Sequence, residues 1–199
     1  MAERGRPRNF DRTAALRVAM EMFWEHGYEG TSIADLTSAM GITPPSLYNA
    51  FGNKEQLFRE AVEFYVARDG GTTARALREG ATAYKAIEAM LQAAGSAAQG
   101  PDRPRGCLVV LGAANCAQQN KKVDEFLQGY RQGTREAIFH RIRQGQSANE
   151  LAPDADAGAL ADFYATVLNG LAVLTRDGAS RTSVQAIVRQ AMAAWPASA

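Results

Sequence analysis

The chain lacks most of what marks an enzyme or a secreted protein. It has two cysteines and two histidines in 199 residues. Two cysteines do not make a disulfide framework, and an intracellular chain keeps them reduced. His26 and His140 lie in distant segments and form no metal-ligand spacing. No Ser/His/Asp or nucleotide-cradling pattern is present either. The expectation is therefore no enzyme, no metal and no cofactor. No apolar run approaches the ~20 residues that span a bilayer. The basic N-terminus "MAERGRPRNFD" has neither the apolar stretch nor the cleavage site of a signal peptide. A cytoplasmic protein without membrane attachment is expected. Excess charge is missing too: 22 Lys and Arg stand against 21 Asp and Glu, so the protein is not coated in positive charge. Alternating strand patterns are absent as well, which leaves an all-α fold.

What is present is an apolar fraction of 46%, enough for one sizeable core or a small module joined to a larger one. Charge is unevenly spread. Arg4, Arg6, Arg8, Arg12 and Arg17 face only Glu3 and Asp11 near the N-terminus, whereas residues 20–60 are acidic. Leu16, Ala19, Met20 and Phe23 form an i, i+3, i+4, i+7 stripe that "HGYEG" stops. Thr31 or Ser32 can cap a second helix with Ile33, Leu36 and Met40 inward, ended by Gly41.

"TPPSLYNAF", residues 43–51, carries the functional reading. Thr43 is a suitable N-cap, and Pro44 then falls where its missing N–H would be unpaired anyway. Pro45 lies in the same first turn and costs little there. A short helix over 44–51 follows, with Leu47 and Phe51 inward, Ala50 beside them, Pro45, Ser46 and Asn49 outward, and Tyr48 on the flank. A helix, a tight glycine turn and a short second helix is the helix-turn-helix arrangement. Asn49 can make a bidentate contact to adenine. The Thr43 and Tyr48 hydroxyls, the Thr31/Ser32 cap region and Lys54 are candidate phosphate contacts. Asn53 with Gln56 caps the next helix, which runs from Lys54 to "RDGG".

"GYEGTSIADLTSAMGITPPSLYNAFGNKEQLFREAV" resembles the N-terminal signature of the TetR family of bacterial transcriptional regulators. The resemblance rests on Gly27, Tyr28, Thr31, Ile33, Leu36, Gly41, Leu47, Tyr48, Phe51, Lys54 and Leu57, and spans roughly residues 10–65. It implies about nine helices, a homodimer and a palindromic double-stranded DNA operator, with Tyr48 and Lys54 at positions that touch phosphates. One departure stands out. Many members carry a basic residue and a glycine where this chain has Pro44-Pro45, so base reading falls to Ser46 and Asn49.

The expected layout is a basic arm over 1–9, a DNA-binding unit over 10–53, a connecting helix over 54–70 and an effector-binding and dimerisation domain over 71–199. "RGRPR" in the arm resembles the core of AT-hook segments, which would send Arg4, Arg6 and Arg8 into a narrow minor groove. Non-specific phosphate attraction is the open alternative. Beyond residue 80, helices are expected at roughly 81–98, 107–118, 122–145, 154–176 and 182–195, with 70–80 ambiguous.

A small organic effector would sit among the middle helices, near Tyr84, Met90, Leu91, Leu111, Asn115, Phe126, Tyr130, Phe163 and Thr166. The resemblance places the dimer on the last two helices. Phe163, Val167, Gly170, Leu171, Leu174, Ile187, Val188, Ala191 and Trp195 are the candidates there. On one helix Cys107 and Cys116 would point to opposite faces, about 180° apart, arguing against a shared site. The function expected is a repressor released from its operator by a small molecule. A constitutive architectural DNA-binder and a redox-responsive regulator acting through Cys107 and Cys116 are the alternatives.

Overall fold

The computed structural model describes residues 11–96, 104–114 and 116–196. Among them the fold is all-α: α1 (Arg12–His26), α2 (Ile33–Met40), α3 (Pro44–Phe51), α4 (Lys54–Ala67), α5 (Gly71–Glu79), α6 (Ala83–Ser96), α7 (Leu108–Leu111), α8 (Lys121–Ser147), α9 (Ala157–Arg176) and α10 (Arg181–Ala193). Nine of these have eight residues or more, and α7 is a single turn.

The helix starts are set by side-chain caps. Asp11 accepts from the amides of Thr13 and Ala14, and Asn53 forms a reciprocal box with Gln56. On α2 the cap is Ser32, again in a reciprocal box, here with Asp35. Gly41 closes α2 in the left-handed region, which costs glycine nothing.

Two differences from the sequence expectation matter. Residues 71–79 form α5, the ambiguous stretch. The helix expected at 107–118 is instead the one turn of α7, ended at Gly112, whose carbonyl accepts from the Tyr28 amide at 2.7 Å. That carbonyl is claimed by another element, so the helical ladder is not continued through it. The rotation argument for Cys107 and Cys116 therefore does not apply, because no single helix carries both.

Two apolar clusters hold the chain together. The first centres on α1–α4: Phe23 meets Phe58 edge-on at 5.0 Å, Tyr28 meets Phe58 at 5.2 Å, and Trp24 meets Tyr65 at 4.8 Å. Such pairs add about 0.5–1.5 kcal/mol each beyond their buried area. This cluster also takes in Leu108, Val123 and Leu127, so the α7 turn and the start of α8 pack with the N-terminal helices. The second cluster joins α5, α6, the later part of α8, α9 and α10 around Ile87, Leu91, Ile138, Ile142 and Tyr164.

One helix, α9, is long and apolar enough by length and composition to cross a bilayer, contrary to the expectation of no such run. Its apolar stretch tolerates Asp162, which is paired with Arg135 of α8 at 2.8 Å. Although α9 packs on α6, α8 and α10, only 28% of that stretch is buried.

Candidate functional site

An eight-residue helix is too short to be stable by itself in water, since isolated helices below ~12–15 residues are marginal. What holds α3 is burial. Leu47 and Phe51 lie in the first cluster, worth roughly 1.5–3 kcal/mol each relative to exposure. Arg12 adds a clamp from α1: its guanidinium lies 4.5 Å over the Phe51 ring, donates to the Ala50 carbonyl and pairs with Glu60 at 2.6 Å. Counted from sequence among the basic arm residues, Arg12 is spent within the fold.

Anchored this way, α3 turns one face to solvent. Thr43, Pro45, Ser46, Tyr48 and Asn49 are all exposed. The Thr43 hydroxyl accepts from the Ser46 amide at 3.4 Å and shares a hydrogen bond with the Ser46 hydroxyl at 2.9 Å. Pro44 and Pro45 occupy the first two helical positions, where no intrahelical acceptor is lost. Tyr48 is 47% exposed, unusual for so large an apolar ring.

Two expected contacts are placed differently. Thr31 is fully buried, and its hydroxyl donates to the Gly27 carbonyl at 2.7 Å, closing the loop before α2. It therefore cannot reach a phosphate, whereas Ser32 is exposed at the α2 N-terminus. Lys54 lies back with its ammonium 4.2 Å over the Tyr28 ring, and burial lowers its pKa against the opposing pull of Glu29. Reaching a phosphate requires it to leave that ring. Arg4, Arg6 and Arg8 lie outside the described residues, as does Asn115.

Where the two clusters meet is a cavity of about 880 Å³. Its wall takes Tyr65 from α4, Leu77 from α5, Met90 from α6, Cys107 and Val110 from the α7 segment, Phe126, Tyr130 and Arg141 from α8, and Leu168 from α9. Of the residues expected to line it, Met90, Phe126 and Tyr130 do so. Leu91 is buried in the second cluster, Tyr84 packs edge-on against Trp195 at 5.8 Å, and Leu111 is not in the wall. Phe163 and Thr166 are exposed on α9, pointing away. Helical spacing along α8 (126, 130, 137, 141) was the available signal for Arg141. The part played by α5 had none, because that helix was itself ambiguous.

The α7 segment is fastened to the N-terminal helices on its other side. Besides the Tyr28–Gly112 bond, the Trp24 indole donates to the Gly106 carbonyl at 3.3 Å. Glu29 accepts from the Ala117 amide and the Asn120 side chain, both at 2.8 Å, which lowers its pKa. Cys107 stands in the cavity wall beside Tyr65, whose phenol is pushed far above its ordinary value, chiefly by burial. Cys116 sits apart, near Glu29, Asp124 and Lys54, where burial first and Glu29 next raise its thiol pKa. Both thiols are free.

A second exposed surface lies on α9, where Phe163 is 40% exposed, Val173 44% and Leu174 37%. With Tyr48 these are the exposed large apolar side chains among the described residues. Val167 is half-buried and Gly170 exposed on the same helix, and Ile187 and Trp195 are half-buried on or just after α10. Leu171, Val188 and Ala191, expected at a dimer contact, belong instead to the chain's own second cluster. They sit on the inward side of their helices.

Comparison with known proteins agrees with this architecture. The family model "Bacterial regulatory proteins, tetR family" matches residues 15–61, and "Tetracyclin repressor-like, C-terminal domain" matches residues 83–192. The HTH-type transcriptional repressor ComR of Escherichia coli (strain K12) is 32% identical over 194 residues, covering 97% of this chain and 92% of its own. The repressor BdcR from the same strain is 28% identical over 176 residues, covering 88% and 84%. Among solved structures, a cysteine mutant of the TetR family transcriptional regulator CifR, complexed with 26 bp double-strand operator DNA, superposes with a TM-score of 0.91. It is 42% identical, covering 96% of this chain and all of that one.

Proposed function

Since this chain belongs to the TetR family of bacterial transcriptional regulators, we propose that it is a homodimeric repressor, released from a palindromic operator when a small organic molecule fills the cavity. The observation that carries this reading is the exposed face of α3. Thr43, Pro45, Ser46, Tyr48 and Asn49 are exposed together at the start and along one face of a helix whose opposite side is locked by Leu47 and Phe51. Ser46 and Asn49 read bases in the major groove, and Thr43, Tyr48 and Ser32 hold phosphates.

The operator complex of CifR, a relative similar over nearly the whole chain, supports duplex DNA as the partner. Residues 10–53 serve as the DNA-binding unit, 54–70 connect, and 71–199 carry the cavity and the dimer face. The largely uncovered apolar stretch of α9 supports pairing, since Phe163, Val173 and Leu174 would be buried against a second copy across a two-fold axis. Two heads then meet half-sites about one helical turn apart (~34 Å, or a multiple).

Release follows from where the cavity lies. One of its walls takes Gly106, Cys107, Val109 and Val110, from the segment bonded to Trp24 through Gly106 and to Tyr28 through Gly112. A ligand that displaces this wall biases the position of α1 and hence the head. Operator affinity falls by the ratio of ligand affinities for the two head positions, by linkage. Footprinting on DNA flanking the protein's own gene tests the reading: a palindromic protected region supports it, and no protected region overturns it.

A further inference from the structure

We propose that the cavity takes an amphipathic carboxylic acid whose carboxylate is held by Arg141, an inference that rests on the cavity being the effector site. Arg141 stands in the cavity wall, with its Nη2 donating to the Gly80 carbonyl at 2.7 Å. Its Nε is buried without a protein acceptor, the one such side-chain nitrogen or oxygen among the described residues. Buried donors in folded proteins are nearly always paired, so a guanidinium whose Nε is closed off and unpaired is short of acceptors, and an anion meeting its cavity-facing edge is favoured. Arginine cannot shed its proton to escape the cost, and a carboxylate matches both its charge and its planar fork.

The other charges around the cavity leave Arg141 as the position for that anion. Arg131 is already neutralised by Asp124 at 3.0 Å and also donates to the Val109 carbonyl. Arg78 is exposed and 4.0 Å from Glu79, and His140 is exposed beside Glu136. Among the described residues Asp69 is the single carboxylate in the wall, against three arginines. Arg141 itself has no ion pair among the described residues.

The apolar part of the ligand follows from the shape of the wall. From Arg141 the α8 face runs back through Ala137 and Tyr130 to Phe126, about 22 Å at the helical rise of ~1.5 Å per residue. Near its far end are Val109 and Val110 of the α7 segment, the part fastened to the N-terminal unit. A molecule tethered by its acid at Arg141 therefore extends an apolar tail toward the wall whose movement reaches the head.

The test is calorimetric titration of the full chain with octanoate and with 1-octanol, on wild type, Arg141→Gln and Arg141→Lys, each verified by circular dichroism. Octanoate should bind wild type at least tenfold more tightly than the alcohol. Arg141→Gln should lose that preference, and Arg141→Lys should keep part of it. Equal binding of acid and alcohol, undiminished octanoate binding by Arg141→Gln, or no octanoate binding at all overturns the inference. If octanoate binds as expected but neither it nor hexadecanoate, whose chain is long enough to approach Val109 and Val110, changes the operator footprint at saturation, the acid site stands and the release reading fails.

Discussion

The backbone amide of Tyr28 donates to the carbonyl of Gly112 at 2.7 Å, joining the end of the first helix's loop to the turn that walls the cavity. Gly27, just before it, sits at φ 72° and ψ 175°, and a side chain there would bring its Cβ within 3.2 Å of that same carbonyl. The joint brings two backbones close: its positive φ favours glycine, and a Cβ there would be tight against the Gly112 carbonyl.

Gly27→Ala should therefore destabilise the protein by about 1–3 kcal/mol, the usual cost of a strained backbone position. Gly129→Ala is the opposite case, because it lies within α8 and an added Cβ meets nothing within 4 Å. It should stabilise by about 0.5–1 kcal/mol. Urea unfolding of both variants measures the two signs.

On α3 the division of labour predicts two kinds of loss. Asn49→Ala should relax preference at one base pair by about 1–3 kcal/mol of discrimination. Tyr48→Phe should weaken binding to all sequences alike. Affinity measured on a panel of single-base operator variants separates the two, and a uniform loss for both would contradict the assignment.

Leu174→Glu places a charge on the exposed α9 face without touching the chain's own core. The expected result is a monomer with unchanged helical content and a large loss of operator affinity. Sedimentation equilibrium with circular dichroism reads both. A dimer that survives the substitution would move the interface elsewhere.

Glu29 ties the 117–120 stretch to the N-terminal unit, and the bonds it accepts from Asn120 and Ala117 hold its pKa below the ordinary glutamate value. A carboxylate depressed by folding contributes stability above its unfolded pKa of about 4.3 and loses it as pH falls through the lower folded value. The stability gap between wild type and Glu29→Gln should thus be constant near neutrality and close as pH drops below about 4.3. Urea midpoints at a series of pH values measure it.

The α3 helix and its exposed face are readable because their signals are local. Capping residues, prolines at a helix start and the Leu47/Phe51 spacing each constrain a few neighbouring residues, and the exposed face of α3 follows from the helical period. Threonine and serine are equally good caps, so the sequence leaves Thr31 and Ser32 open, and only the packed loop distinguishes the buried hydroxyl from the exposed one. The α7 turn could not be foreseen, because what stops it is a bond to Tyr28, more than eighty residues away in sequence. The cavity is partly legible for a similar reason. Phe126 and Tyr130 lie on one helix face, but Arg141 gains its meaning from its bond to Gly80 and from the lack of an ion pair among the described residues.

The central claim is that α3 of a two-fold pair reads a palindrome, and selection from a random duplex DNA pool tests it most directly. Wild type should enrich an inverted repeat with half-sites separated by a whole number of helical turns, and Asn49→Ala should enrich the same repeat degenerate at one base pair per half-site. Enrichment of a single unrepeated motif, or of none, would contradict the account.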